Sequence, residues 1–294
     1  MTRNDKIPSS IETTGHTWDG IEELNNPLPR WWLWVLYATI VWGVGYTIAY
    51  PAWPLVSGAT SGLLGFSTRG DVAADIAATE AARSGLMDRL AAADLSQLPQ
   101  DPELQAFAVS AGASVFGANC AQCHGAGAAG VQAGGFPNLL DDDWLWGGTI
   151  TDVAATVTHG IRNESSPDAR WSEMPAFGEI LEGGDIDAVV NHVLAVSGQE
   201  HDAALAEQGS VVFADNCASC HGEDATGMRE MGAPNLTDAV WLYGGTAETL
   251  KETVTNARFG VMPAWSEEFR PANGLSQAEI NAVAAYVHGL GGGE

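Results

Sequence analysis

The chain has few basic residues, 12 lysines and arginines against 37 aspartates and glutamates, which gives a net charge of −25 over 294 residues. Binding to nucleic acid needs a basic patch that meets the phosphates, so this composition excludes nucleic acid as a partner. The acidic surface either keeps the protein soluble or steers a partner of complementary charge, and composition does not separate these two roles.

Charged side chains are absent from residue 31 to residue 68. Within this stretch the apolar run from Trp31 to about Trp53 is long enough for a helix of roughly 34 Å, which crosses a hydrocarbon core. Aromatic side chains mark both ends of the run, and prolines follow it. A cleaved signal peptide has a shorter apolar region without such aromatics, so we predict an uncleaved transmembrane helix over residues 31–54.

The segments on either side of the apolar run look polar or irregular. Residues 1–30 are predicted to be a tail that turns before the membrane. Residues 55–104 are predicted to be a connector with a short helix within the alanine-rich stretch 71–93, followed by an exposed linker at 94–102.

Cysteine is scarce as well, and all four cysteines lie in two copies of Cys-x-x-Cys-His. No cysteine is left for a disulfide framework. On one helical turn the two thiols and the following imidazole share a face, which is the arrangement that attaches haem c. A four-cysteine zinc site or a redox dithiol would not need the histidine, so we predict two covalently bound haem c groups, held by thioethers to Cys120, Cys123, Cys217 and Cys220.

The two signatures belong to an internal repeat in which the second copy follows the first by 97 residues. Its matched pairs are Gly112 and Gly209, Phe116 and Phe213, Pro137 and Pro234, Trp144 and Trp241, and Thr156 and Thr253. The copies then differ by a nine-residue insertion between Thr158 and Met174, and each ends in an amphipathic helix, near 185–196 and 277–290. This repeat predicts two domains, at residues 105–199 and 203–291.

The repeated layout resembles class I cytochrome c domains in tandem. The resemblance implies a mainly α-helical fold, with one N-terminal transmembrane helix before the two haem domains. It implies that the helix before each haem signature crosses a C-terminal helix, with Gly112 and Gly209 allowing the close approach. His124 and His221 would be the proximal iron ligands, and the carbonyl groups of Pro137 and Pro234 would accept hydrogen bonds from their imidazoles.

For the distal iron ligands the sequence favours Met174 and Met262. Each precedes a closing helix and is followed by Pro-Ala and an aromatic residue. Methionine in this role raises the reduction potential. Met228 and Met231 are rivals, but they fall in the loop that in this fold wraps the proximal side. Ligation by His159 instead of methionine at the first haem remains an alternative, although the second repeat has an asparagine at that position.

Other side chains carry weaker expectations. His192 is predicted to be a packing residue, whereas His16, His201 and His288 are predicted to face solvent. Contacts with the haem propionates and ordinary core or surface positions are equally compatible with four further residues: Trp144, Trp241, Arg162 and Arg258.

A closer resemblance comes from the run His-Thr-Trp-Asp-Gly-Ile-Glu-Glu-Leu-Asn-Asn-Pro-Leu-Pro-Arg-Trp-Trp at residues 16–32, followed by one span and two haem domains. This arrangement is similar to the dihaem subunit family of cbb3-type cytochrome c oxidases, CcoP or FixP. The resemblance implies an electron relay from a soluble or membrane-bound cytochrome c to the monohaem subunit and then to the catalytic haem–copper subunit, where oxygen becomes water and protons are pumped. The chain itself would carry no oxygen-reducing centre.

Two arguments predict the orientation in the membrane. Arg3, Lys6 and Arg30 precede the span, whereas only Arg69 follows it closely, which favours a cytoplasmic N-terminus. Haem c is attached outside the bacterial cytoplasmic membrane, which places the haem domains in the periplasm. The prediction is therefore a single-pass protein of the bacterial inner membrane.

Two alternatives come from other classes of protein. A dihaem cytochrome c peroxidase would need one iron with a vacant or labile distal position. The dihaem subunit of a quinol–cytochrome c reductase is anchored after its haem domains, whereas this chain has its apolar run before them.

Overall fold

The structure is a computed structural model that describes residues 12–293. Arg3 and Lys6, which entered the orientation argument, lie outside the described residues. The described chain is mainly α-helical, as expected. It divides into two compact units, one that ends at Ala82 and one that begins at Arg83.

The first unit opens with a β-hairpin made of β1 (Thr13–Trp18) and β2 (Ile21–Leu24), where we expected only a turning tail. Asp19 and Gly20 form its two-residue turn, both with positive φ, 48° and 83°. Asp-Gly is the preferred sequence for such a turn, so the hairpin had a local signal that we missed. A second, very short hairpin follows the apolar helix, with β3 (Pro54–Leu55) and β4 (Gly58–Ala59).

The apolar helix α1 spans Arg30–Ala49 and is, within residues 12–293, the one helix long and apolar enough to cross a membrane. It ends before Trp53, where we had predicted the end of the span, because Pro51 cannot continue a helix. Its last carbonyl groups are satisfied by the chain that turns back: the backbone N–H of Leu63 donates to Ile48 (2.9 Å) and that of Leu64 to Ala49 (3.0 Å). At 20 residues the helix is about 30 Å long, the thickness of a hydrocarbon core.

The connector is more ordered than the sequence indicated. Helix α2 runs over Thr68–Ala91, longer than the short helix expected. A 3₁₀ helix at Leu95–Gln100 replaces the predicted exposed linker, and both Leu95 and Leu98 are buried. The linker prediction was wrong because the polar residues around these leucines hid their spacing of three, which places both side chains on one face of a 3₁₀ helix.

The second unit contains the two haem signatures, each on a short helix. The helices are α3 (Pro102–Asn119), α4 (Ala121–His124), α5 (Ile150–His159), α6 (Gly183–Val196), α7 (Ala203–Asn216), α8 (Ala218–His221), α9 (Ala247–Asn256) and α10 (Gln277–His288). Helices α6 and α10 are the two closing helices that the repeat predicted.

These helices form two lobes whose closing helices are exchanged. The first lobe joins α3, α4 and α5 to α10, which comes from the second repeat. The second lobe joins α7, α8 and α9 to α6, which comes from the first repeat. The second lobe is therefore a continuous stretch of chain inserted between α5 and α10 of the first, whereas tandem repeats had suggested that each closing helix packs on its own repeat.

The two crossings use the glycines that the resemblance singled out. A Cβ added to Gly112 on α3 would overlap the carbonyl group of Ala282 on α10. One added to Gly209 on α7 would overlap the carbonyl group of Ala188 on α6. The expected close approach is thus present in both lobes, with the partner helix taken from the other repeat.

The lobes meet through an approximately two-fold symmetric pair of contacts. The Trp146 ring of the first lobe lies against Gly232 of the second, and the Tyr243 ring of the second lies against Gly135 of the first. Residues 146 and 243 occupy equivalent positions in the repeat, as do 135 and 232. The interface is therefore self-complementary, like that of a symmetric dimer.

Candidate functional sites

Each haem signature forms one helical turn at the end of a longer helix. The Cys120 carbonyl oxygen accepts from the N–H groups of both Cys123 (3.1 Å) and His124 (3.0 Å). The second signature repeats this turn, with bonds of 3.1 and 2.9 Å from Cys220 and His221 to the Cys217 carbonyl oxygen. Residues three and four apart on such a turn lie side by side, as haem attachment requires.

The histidine of each signature is oriented by a proline carbonyl, as the resemblance implied. His124 Nδ1 lies 3.2 Å from the Pro137 oxygen, and His221 Nδ1 lies 3.1 Å from the Pro234 oxygen. A carbonyl can only accept, so Nδ1 carries the proton and Nε2 keeps its lone pair for a metal. Burial lowers the pKa of both imidazoles, against a smaller opposing effect of these hydrogen bonds, which favours the neutral form that binds iron.

The first thiol of each signature is a poor thiolate. Burial, with a smaller contribution from the neighbouring cysteine, raises the pKa of Cys120 and of Cys217 to about 11. A redox dithiol needs a lowered pKa, so the thiol environment disfavours that alternative. Cys120 packs in the first lobe and Cys217 in the second, which argues against a shared four-cysteine zinc site.

Met262 lies in the first lobe, although it belongs to the second repeat. Its side chain packs against the first lobe's core, and its backbone pairs with Ile161 through two hydrogen bonds of 2.9 and 3.0 Å. Three residues later, the N–H of Trp265 donates to the Val157 carbonyl of α5 (2.9 Å). The segment that carries Met262 is therefore fixed to the lobe that contains His124.

Met174 precedes the second lobe in the chain and leads directly into it. It is half-buried, and the 3₁₀ helix that begins three residues later, Phe177–Glu179, packs against both α9 and α6. Phe177 is buried, and Gly178 lies against Thr255 of α9. The chain that follows Met174 thus packs on the lobe that contains His221.

The rival ligands have other surroundings. Met228 precedes a 3₁₀ turn (Arg229–Met231) that Met231 ends, and both lie between His221 and Pro234, on the side where Pro234 orients the imidazole. His159 Nδ1 lies 2.9 Å from the hydroxyl of the buried Ser166, and its ring contacts Phe269.

The remaining histidines match their expected environments with one exception. The His192 ring packs on Phe213 with centroids 5.1 Å apart, as a packing residue should. His16 and His201 are exposed, whereas His288 is half-buried and not solvent-facing as predicted. It lies in the last turn of α10, where Gly293 of the C-terminal segment covers its ring.

Two arginines make equivalent contacts in the two lobes, and we did not predict this equivalence from the sequence. Arg170 donates to the Thr156 hydroxyl (2.6 Å), and Arg258 donates to the hydroxyl of the equivalent Thr253 (2.9 Å). Each arginine lies four residues before its methionine, so counting back from Met174 and Met262 would have revealed it. Arg162, which we had considered with Arg258 for a propionate contact, lies in the insertion and has no counterpart in the second repeat.

The candidate propionate contacts have partners within the protein. Trp144 Nε1 donates to the Gly292 carbonyl. Arg258 donates to the Thr249 carbonyl (2.7 Å), and Arg162 to those of Ser172 and Gly260 (both 2.7 Å). Trp241 packs against the second lobe's core. A propionate contact stays a prediction for all four.

A polar cavity of about 340 Å³ lies between loops of the two lobes. It is lined by Asp142, Asp143, Trp144, Met228, Arg229 and Asp238, among others. Burial, followed by repulsion from Asp238, Asp141 and Asp142, raises the pKa of Asp143 to about 6. This carboxyl group is therefore a titrating group near neutral pH between the lobes.

Three protein families match successive parts of the chain. Residues 10–57 match the family described as the N-terminal domain of cytochrome oxidase-cbb3, FixP. Residues 107–193 match the family of cbb3-type cytochrome c oxidase subunit III, and residues 206–291 match the cytochrome c family. The family matches follow the order of the repeats in sequence, whereas the lobes exchange their closing helices.

Several curated proteins are similar over nearly the whole chain. A cbb3-type cytochrome c oxidase subunit CcoP from Cereibacter sphaeroides is 58% identical over 98% of this chain and 97% of the relative. One from Rhodobacter capsulatus is 56% identical over the full length of both, and a subunit FixP from Sinorhizobium medicae is 50% identical over 97% and 96%. With this similarity along all of its parts, the chain belongs to the CcoP/FixP family of cbb3-type cytochrome c oxidase subunits.

Proposed function

We propose that each lobe holds one haem c and that the axial methionines are exchanged between the repeats. The first haem would be attached to Cys120 and Cys123, with His124 and Met262 as axial ligands. The second would be attached to Cys217 and Cys220, with His221 and Met174 as axial ligands. The donor set fits this group, since two thiols and an imidazole with a free Nε2 share one turn in each lobe.

The exchange of closing helices is the observation that carries this pairing. Because Met262 pairs through its backbone with Ile161, just after α5, and Trp265 bonds to Val157 within α5, its thioether belongs with the first lobe. A segment that precedes α6 likewise belongs with the second lobe, since α6 packs on α7. Pairing Met262 with its own repeat would require its segment to leave the first lobe, to which its backbone is bonded.

The bound haems would supply one-electron redox chemistry, and the protein would orient the iron ligands for it. The carbonyls of Pro137 and Pro234 keep the proton on Nδ1 and so fix the orientation and basicity of each imidazole. If an imidazole and a thioether hold each iron as proposed, no position would remain open for a substrate. This arrangement suits transfer of electrons and disfavours the peroxidase alternative.

In the membrane we place this chain as a relay within the oxidase. It would take electrons from a soluble or membrane-bound cytochrome c and pass them to the monohaem subunit and the catalytic haem–copper subunit, which reduces oxygen to water and pumps protons. Helix α1 would anchor it in the bacterial inner membrane, with the N-terminus in the cytoplasm and both lobes in the periplasm. The apolar length of α1 and the similarity to CcoP and FixP subunits support a membrane-anchored oxidase subunit.

The ligand pairing is tested in a protein that carries only the second haem. The double variant Cys120→Ala/Cys123→Ala cannot attach the first haem. When Met174→His is added to it, the remaining haem should lose its methionine ligand and its reduction potential should fall. Adding Met262→His should leave that haem unchanged. The reverse pattern in a spectroelectrochemical titration would show that each methionine serves its own repeat.

The relay role is tested on the complete protein. Pyridine haemochrome analysis should give two haem c per chain. When this chain is purified from membranes in a mild detergent, a multi-span haem–copper subunit should co-purify with it. Turnover of hydrogen peroxide by the isolated subunit, together with a haem that loses methionine ligation on reduction, would instead support a dihaem peroxidase.

A further inference from the structure

Arg162 occupies an unusual place in the chain. It lies in the nine-residue insertion that distinguishes the first repeat, just after α5, and it has a positive φ of 50°. This backbone conformation is uncommon for a residue with a side chain and persists where surrounding contacts hold it. Its own N–H donates to the Arg170 carbonyl (2.8 Å), which closes the insertion into a loop.

The guanidinium of Arg162 bridges two separate segments of chain. Its Nε donates to the Gly260 carbonyl and its Nη1 to the Ser172 carbonyl, both at 2.7 Å. Ser172 lies two residues before Met174, and Gly260 lies two residues before Met262. One planar group thus holds both segments that carry the candidate axial methionines.

The two acceptors are equivalent positions of the repeat when counted back from the methionines. The exchange of closing helices brings these equivalent segments together. The insertion, which the second repeat lacks, places the Arg162 guanidinium within reach of both. The guanidinium is about half-buried, and it also lies over the Phe259 ring at 5.6 Å. Shielding from water strengthens charge-assisted hydrogen bonds to the two carbonyls.

We infer that Arg162 is a positioning residue for both distal ligands, which it holds in register across the junction of the two lobes. This inference rests on the proposed ligation by Met174 and Met262. Without this bridge, either segment would be free to move its methionine sulfur away from the iron. At raised pH, a stronger ligand from the protein or from water would then replace the methionine. Because one residue supports both segments, its loss disturbs both haems together.

The test compares Arg162→Met and Arg162→Lys with the wild-type protein in detergent. Arg89→Met is the matched control, since Arg89 is an exposed arginine paired with Asp101 and Glu103 on the surface. The readout is the charge-transfer absorption of methionine-ligated ferric haem, followed as pH is raised. Redox titration resolves the two haems.

In Arg162→Met we expect methionine to be displaced from both haems about one pH unit earlier than in the wild type, a tenfold change in the ligation equilibrium. Arg162→Lys keeps the charge but cannot bridge two carbonyls with a planar fork, so we expect both haems to remain affected. Arg89→Met should match the wild type.

Displacement at one haem only, or at neither, would overturn the inference, as would full rescue by lysine, because the effect would then come from the charge alone. Should Arg162→Met not accumulate, Arg162→Lys decides the matter by the same criteria. A wild-type protein without methionine-ligated haem would refute the proposed ligation itself, which is visible before any variant is made.

Discussion

Gly209 on α7 lies against Ala188 on α6 so closely that a Cβ on the glycine would overlap the alanine's carbonyl oxygen. The atoms that a Cβ on Gly209 would overlap belong to the backbone of α6, which cannot move away as the end of a flexible side chain can. The crossing of α6 and α7 therefore depends on the missing side chain, in the same way that α3 and α10 depend on Gly112.

Gly209→Ala should separate α6 from α7 and lower the free energy of unfolding by about 2–3 kcal/mol. Gly85→Ala is the matched control, because Gly85 is also inside a helix but has no atom within 4 Å of an added Cβ. There alanine should stabilise by about 0.5–1 kcal/mol. Urea unfolding in detergent, followed by circular dichroism, measures both, and equal midpoints would contradict the packing described.

Much of each site could be predicted because its signals are local. The signature turn, the proline carbonyls behind the histidines and the glycines at the crossings each depend on residues close in sequence or on a repeated motif. The exchange of α6 and α10 could not be predicted in that way. Gly112 and Gly209 have the same context, so either closing helix fits either partner.

Connection length was the signal that could have resolved the exchange. Only residues 197–202 lie between α6 and α7, and short connections usually join antiparallel neighbours. The Asp202 N–H donates to the Asn191 side chain on α6 (2.8 Å), which ties the turn to the helix. The domain repeat alone does not contain this constraint, so it predicts the wrong partner for each closing helix.

Helix capping gives a direct test of the exchange. Ser276 and Glu279 form a capping box at the start of α10, and Thr246 caps α9 through its hydroxyl. Ser276→Ala should cost about 1 kcal/mol and weaken amide-exchange protection in α3 of the first lobe. Thr246→Ala should instead weaken amide-exchange protection in α6 of the second lobe, on which α9 packs. Loss of protection in α7 on replacing Ser276 would show that α10 packs on its own repeat.

Arg170 should contribute measurably to the stability of the first lobe. Its guanidinium donates to the Trp146 carbonyl (2.7 Å) and the Thr156 hydroxyl (2.6 Å), and it pairs with the half-buried Asp152 (3.0 Å). Arg170→Met should cost about 2 kcal/mol because it leaves these partners unsatisfied.

The control for Arg170 is Lys251→Met, which removes a cation paired with Asp187 where both side chains are about half exposed. Exposed pairs contribute little, so we expect a cost below about 0.5 kcal/mol. Thermal unfolding of the three proteins gives the comparison. A larger cost for Lys251→Met than for Arg170→Met would refute the assigned importance of burial.

Asp143 should make the protein less stable as pH rises from about 4 to 6. Its pKa in the folded protein is about 6, raised mainly by burial and then by Asp238 and Asp141. The unfolded chain gives up this proton near pH 4, while the folded chain retains it to about pH 6. The unfolded state therefore binds fewer protons within this window, and stability falls with pH until Asp143 is ionised in both states.

Asp143→Asn should remove this loss and stabilise the protein at pH 7 by about 1 kcal/mol, after allowance for solvent screening of a partly exposed group. At pH 4 the variant and the wild type should unfold at similar temperatures. Asp224→Asn should behave in the opposite way, because hydrogen bonds from Thr226 lower the pKa of Asp224 and its charged form is the stabilising one. Melting temperatures at pH 4, 5, 6 and 7 provide the measurement, and a benefit of Asp143→Asn that does not grow with pH would contradict a buried, titrating carboxyl group between the lobes.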